Sequence, residues 1–84
     1  MVNGAAIEVL YFAQVAEITR VRRETWPLPE PVPAAELLSR LESRHPGLAP
    51  VERLKIAINQ SHANPDSLVK AGDEFAVFEP VTGG

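Results

Sequence analysis

Apolar and polar positions along this chain follow two periods, alternation in four stretches and a 3.6-residue repeat in one. From Ala5 to Phe12 the residues Ala-Ala-Ile-Glu-Val-Leu-Tyr-Phe are dense in β-branched and aromatic types and predict a first strand. Ile7, Val9 and Tyr11 share one face; Glu8, Leu10 and Phe12 share the other. Towards its end this strand is apolar on both sides, as a central strand or one lying beneath a partner would be. Ala13 to Thr19 reads as a connection with room for a helical turn. Val21 to Trp26 alternates again and stops at Pro27, which predicts a half-exposed second strand paired with the first as a hairpin.

Pro27, Pro29, Pro31 and Pro33 stiffen the next connection, and Pro33 suits the first turn of a helix, where its missing N–H costs nothing. Ala34, Leu37, Leu38 and Leu41 then recur at i, i+3, i+4 and i+7, so one face packs while Glu36, Arg40, Glu42, Ser43 and Arg44 face water. Glu36 and Arg40 are placed for an i, i+4 ion pair, and His45-Pro46-Gly47 supplies the stop. Leu54 to Gln60 predicts a third strand, Asn64-Pro65-Asp66 a turn, Ser67 to Val69 a short edge strand, and Glu74 to Phe78 the last strand after the Ala71-Gly72-Asp73 turn. The order β, β, α, β, short β, β is an α+β arrangement, a sheet of four to five strands with one main helix on one face.

With 84 residues the chain is one domain, 1–84, around one modest core. Its apolar fraction of 45% and charged fraction of 23% are those of an ordinary globular protein. A formal net charge of -3 speaks against a partner held through phosphate neutralisation, so no nucleic acid is expected. The nearest basic cluster, Arg20, Arg22 and Arg23, is flanked by Glu17 and Glu24 and reads as a strand with a solvated edge. Without cysteine there is no disulfide, thiolate metal site or thiolate nucleophile; sulfur handled by this chain must be imported. No apolar run approaches the roughly 20 residues of a membrane span, and a cytoplasmic location is the default expectation.

The sequence closes on Phe78-Glu79-Pro80-Val81-Thr82-Gly83-Gly84. Pro80 ends the strand, and residues 79–84 are expected to form a flexible projecting tail able to span about 20 Å. Two glycines give that tail the narrowest cross-section available to a polypeptide. A free α-carboxyl, with a pKa of about 3.3 to 3.7, is an anion and a poor electrophile at neutral pH, so chemistry there needs activation. Adenylation by ATP would install a leaving group that a sulfur nucleophile can displace, leaving a thiocarboxylate.

Three segments together, Tyr11-Phe12-Ala13-Gln14-Val15-Ala16-Glu17, Ala57-Ile58-Asn59-Gln60 and the whole ending from Ala71 to Gly84, resemble the small subunit family of molybdopterin synthases. That resemblance implies a ubiquitin-like β-grasp fold, with first and last strands parallel and adjacent. It implies that Gly84 is the catalytic residue, adenylated and then carried as a thiocarboxylate, and that Gly83 keeps the tail slim. Sulfur would pass to cyclic pyranopterin monophosphate inside a larger subunit, making the chain an enzyme component without an independent active site. The implied partners are that large subunit, in a heterotetramer of two small and two large chains, and an adenylyltransferase resembling ubiquitin activators. No cofactor or metal is expected on this chain; the ATP belongs to the activating enzyme. Glu79 departs from the family, which usually has a second proline there. Other carriers of the same fold, such as those serving thiamine thiazole, and modifiers that form isopeptide bonds share the diglycine end; a passive β-grasp module with an inert tail is a more remote alternative.

If Ile7, Val9, Phe75 and Val77 point at the helix, Leu10, Phe12, Ala76 and Phe78 form one apolar patch on the opposite face, near the tail. These residues, with Pro80, Val81 and Thr82, are the expected partner-binding set. His45 and His62 have no second ligand at helical spacing and read as surface residues, Trp26 as a packing residue, and Asp73 and Glu74 as turn and strand-start chemistry.

Overall fold

The alternating segments assemble into one mixed sheet, and the 3.6-period segment lies across one of its faces. The structure, a computed structural model, describes residues 5–80. The strands of the main sheet are β1 (Ala6–Tyr11), β2 (Arg23–Pro27), β4 (Lys55–Ile58), β5 (Ser61–Ala63) and β7 (Glu74–Phe78), in the order β2-β1-β7-β4-β5. β1 and β7 run parallel at the centre, with Val9 beside Phe75 and Tyr11 beside Val77; the other pairings are antiparallel. Helix α2 (Ala34–Arg44) buries Ala34, Leu37, Leu38 and Leu41. They form one core with Ile7, Val9 and Tyr11 of β1, Ile56 of β4, and Phe75 and Val77 of β7. Each fully buried large aliphatic or aromatic side chain there stabilises the fold by roughly 1.5–3 kcal/mol.

Four local features differ from the sequence expectation. Ala13 to Thr19 is a complete helix, α1, not a connection with one turn; it buries Val15 and Thr19 and packs on the short 3-10 turn Pro46–Leu48. It closes at Arg20, whose backbone is left-handed with φ 69°, while the Thr19 hydroxyl donates to the Val21 carbonyl at 2.9 Å. The second strand starts at Arg23 rather than Val21 and includes Pro27.

The third strand stops at Ile58. Asn59 and Gln60 both have positive φ, 52° and 72°, and form a two-residue hairpin turn into β5, a strand that alternation did not reveal. The short strand near Ser67 is β6 (Leu68–Val69), and it pairs not with the main sheet but with β3 (Val32–Pro33) in a separate two-stranded ribbon. That ribbon and its turn serve the helix: the free N–H groups of Ala34 and Ala35 donate to the carbonyls of Ser67 at 2.8 Å and Pro65 at 3.0 Å, in place of a side-chain cap.

Candidate functional site

Because side chains alternate across a strand, packing Val9, Tyr11, Phe75 and Val77 under α2 turns Leu10, Ala76 and Phe78 to the other face of the sheet. There Leu10 lies beside Ala76, Ala76 beside Ala57, and Phe78 beside Lys55. Ala57 and Ala76 are 9% and 7% exposed, so they form the floor of an apolar strip. Leu10 and Phe78 stand half-buried upon it, and Phe12 is 49% exposed. The Phe12 N–H donates to the Val77 carbonyl at 3.3 Å, which sets Phe12 at the same end of the strip as Phe78. His62 of β5 meets the Phe78 ring edge-on, centroids 5.9 Å apart, so it is an exposed strand residue on this face.

The chain leaves β7 at that same end. Glu79 forms an ion pair with Arg53, which sits on the 3-10 turn Val51–Arg53 just before β4, and Pro80 is exposed. The residue just before Pro80 is therefore tied down by charge. Nothing in the local sequence signals this pair, whose members are 26 positions apart. Leu10, Phe12, Ala76, Phe78 and Pro80 of the expected set are thus gathered around the end of β7, whereas Val81, Thr82, Gly83 and Gly84 lie outside the described residues.

A strongly perturbed carboxyl lies on the helix side of the sheet. Glu24 sits beside Val9 in the β1–β2 pairing and accepts hydrogen bonds from the Tyr11 hydroxyl at 2.7 Å and the Trp26 indole N–H at 3.0 Å. Arg44 and His45, at the end of α2, each approach it at 3.4 Å. Burial pushes the Glu24 pKa up, but these four partners outweigh it and hold the carboxyl at about 2. Burial first, then the bond to Glu24, raises the Tyr11 phenol, which stays a donor.

Two expectations are corrected here. Glu24 is not part of a solvated edge, and His45 is not a surface residue: its side chain is 15% exposed, bound to Glu24 and edge-on to Tyr11. Their 21-residue separation kept the cluster out of reach of local pattern. Asp73 is buried and accepts from the Lys70 backbone N–H, the Asn59 amide and the Lys70 ammonium, which overcome burial and lower its pKa. Asn59 in return accepts from the Glu74 N–H at 2.9 Å, joining the β4–β5 turn to the start of β7. Both carboxylates are structural acceptors, each bound by three or more donors.

The sequence pattern that defines the ThiS family matches residues 9–84. The molybdopterin synthase sulfur carrier subunit of Homo sapiens is 44% identical over 88 aligned positions that span all of both chains. The molybdopterin synthase sulfur carrier subunit of Chlamydomonas reinhardtii is 35% identical, with 93% of this chain and 98% of the relative covered. Among solved structures, the small archaeal modifier protein 1 of Haloferax volcanii superposes with a TM-score of 0.79 at 26% identity, covering 93% of this chain and all of that one. The fold is the ubiquitin-like β-grasp.

Proposed function

The chain belongs to the ThiS family, and from that premise we propose that it is the sulfur carrier subunit of a molybdopterin synthase, with Gly84 as the carrying residue. The observation that carries this reading is the end-to-end match, at 44% identity, to a relative named for that role. In the proposed cycle an oxygen of the Gly84 carboxylate attacks the α-phosphorus of ATP and pyrophosphate leaves, giving an acyl adenylate. Sulfide-level sulfur then attacks the acyl carbon as hydrosulfide, the C–O bond to the phosphate breaks, AMP departs with that oxygen, and loss of the sulfur's proton leaves a thiocarboxylate. In the synthase the thiocarboxylate sulfur forms a new C–S bond to a carbon of the pterin precursor, cyclic pyranopterin monophosphate, as the C–O bond at that carbon breaks and its oxygen leaves. Water attacks the acyl carbon and the C–S bond to Gly84 breaks, returning the carboxylate.

Two transfers complete a dithiolene, which fits an assembly of two small and two large subunits. The apolar strip of Leu10, Phe12, Ala76 and Phe78 is the docking face for the large subunit, and Pro80, Val81 and Thr82 are the tail contacts within it. An adenylyltransferase of the ubiquitin-activating type, which uses the ATP, binds the same end. This chain supplies no general acid or base; those belong to the large subunit, so its part in the sulfurtransferase reaction is delivery of the sulfur.

Incubation of the full chain with its cognate adenylating enzyme, ATP and a sulfur donor tests the reading by intact mass. The expected product has one terminal oxygen replaced by sulfur, and a chain lacking Gly84 is not loaded. A wild-type chain that stays unmodified under these conditions refutes the carrier role. The likeness to an archaeal modifier supports a second reading, conjugation through the same carboxyl. It predicts isopeptide adducts on other proteins where the carrier reading predicts sulfur transfer to the pterin precursor.

A further inference from the structure

The cations of this chain are distributed unevenly between paired and unpaired positions. Of its eight Lys and Arg residues, five are matched to carboxylates: Arg23 with Glu8, Arg40 with Glu36, Arg44 with Glu24, Arg53 with Glu79, and Lys70 with Asp73. Among the described residues the three outside any ion pair are Arg20, Arg22 and Lys55. All three border the apolar strip. Lys55 lies beside Phe78 in the β4–β7 pairing. Arg20 and Arg22 line a groove of about 720 Å³ between the end of β1, α1 and the start of β2, whose wall includes Leu10 and Phe12 of the strip itself. The groove also holds Arg23, and its one carboxylate is Glu17.

Arg20 is an unfavourable choice for its local position. It closes α1 in a left-handed conformation, which costs a residue with a β-carbon roughly 1–2 kcal/mol. Interaction of a cation with the end of a helix returns about 0.3–1 kcal/mol, and α1 has only seven residues. Local energetics alone favour glycine there. Three arginines in four positions, two of them without an internal partner, make this groove the concentrated positive region of a chain whose formal charge is -3.

We infer that the Arg20–Arg22 groove receives an acidic segment of the large subunit, extending the apolar docking face with a charged margin that guides the encounter. The inference rests on the proposed carrier role and goes beyond it by naming the chemistry of the partner surface. The occupant must be an acidic polypeptide segment with apolar contacts, because cations share the groove wall with Leu10, Phe12 and Val21. Charges at an interface margin act chiefly on association rate and salt dependence, while the apolar centre governs dissociation.

The test is the kinetics of binding between the intact chain and its cognate large subunit at about 50 mM and 500 mM salt, on either side of effective screening. The variant Arg20→Gln with Arg22→Gln is expected to associate roughly tenfold more slowly at low salt, with little change at high salt and an unchanged thermal midpoint. Glu17→Gln is expected to act with the opposite sign and accelerate association at low salt. If the wild type binds and the double variant matches its rate and salt slope, the groove inference is overturned and the carrier role stands. If the wild type itself does not bind the large subunit, both are overturned.

Discussion

At the residue scale, Glu24 shows how position converts a side chain that reads as solvent-facing into a fixed acceptor. Its carboxylate is shared by a tyrosine hydroxyl and an indole N–H, with an arginine and a histidine from the far end of α2 beside it. The folded pKa, about 2, lies below the ordinary 4.5, so the stability this group confers is fully present above pH 4.5 and is lost as pH falls towards 2. Glu24→Gln is expected to lower stability by about 1–3 kcal/mol at neutral pH, since it removes the charge and turns an amide donor towards other donors. The difference from wild type is expected to close as pH falls from 4.5 towards 2, where the native carboxyl is itself protonated. Urea unfolding midpoints across that range measure it. A gap that stays constant with pH would mean that packing, not charge, explains the effect.

At the scale of elements, the β4–β5 hairpin joins two residues of unequal suitability in the same left-handed conformation. Asn59, at φ 52°, tolerates it and uses its amide to bind Asp73 and the Glu74 N–H; Gln60, at φ 72°, gains no such bonds among the described residues. Gln60→Gly is expected to stabilise the domain by about 0.5–1 kcal/mol, the relief of strain exceeding the added freedom of the unfolded chain. Asn59→Gly is expected to destabilise it, because the links to Asp73 and to the Glu74 N–H are lost. Thermal midpoints separate the two, since for a domain of this size each kcal/mol shifts the midpoint by about 4–8 °C.

The same hairpin marks the limit of what local pattern carries. Helix α2 was legible because four apolar residues at helical spacing have one face to bury, and all four are buried. The central strands were legible because their alternation is long enough to exclude a helix. Helix α1 is two turns with no side-chain cap, and its stability comes from contacts with the Pro46–Leu48 turn that no local window contains. β5 was hidden because Asn-Gln lacks the glycine that announces a tight hairpin, and the β3–β6 ribbon is two residues per strand. At the candidate site, alternation sufficed to single out Leu10, Phe12 and Phe78. The Arg53–Glu79 pair and the orphan arginines emerge only when distant segments are brought together.

At the scale of the whole molecule, the sheet separates a packed face from an apolar face that the proposed function assigns to docking. One face carries the buried core beneath α2; the other carries a strip whose floor is alanine and whose exposed end adjoins the last described residues of the chain. Phe75 and Phe78 on the same strand sit on opposite sides of that division, Phe75 fully buried at 0% exposure and Phe78 half-buried beside His62. Phe75→Glu is therefore expected to prevent folding, since it places an unpaired charge in the core. Phe78→Glu is expected to cost only about 1 kcal/mol of folding stability while weakening large-subunit binding by about 2 kcal/mol or more, as removal of an aromatic anchor does at an interface centre. Thermal melts of both variants, with affinity measured for Phe78→Glu by titration calorimetry, decide it. If Phe78→Glu unfolds as readily as Phe75→Glu, the two faces do not divide the work; if it folds and binds like the wild type, the large subunit meets this chain elsewhere.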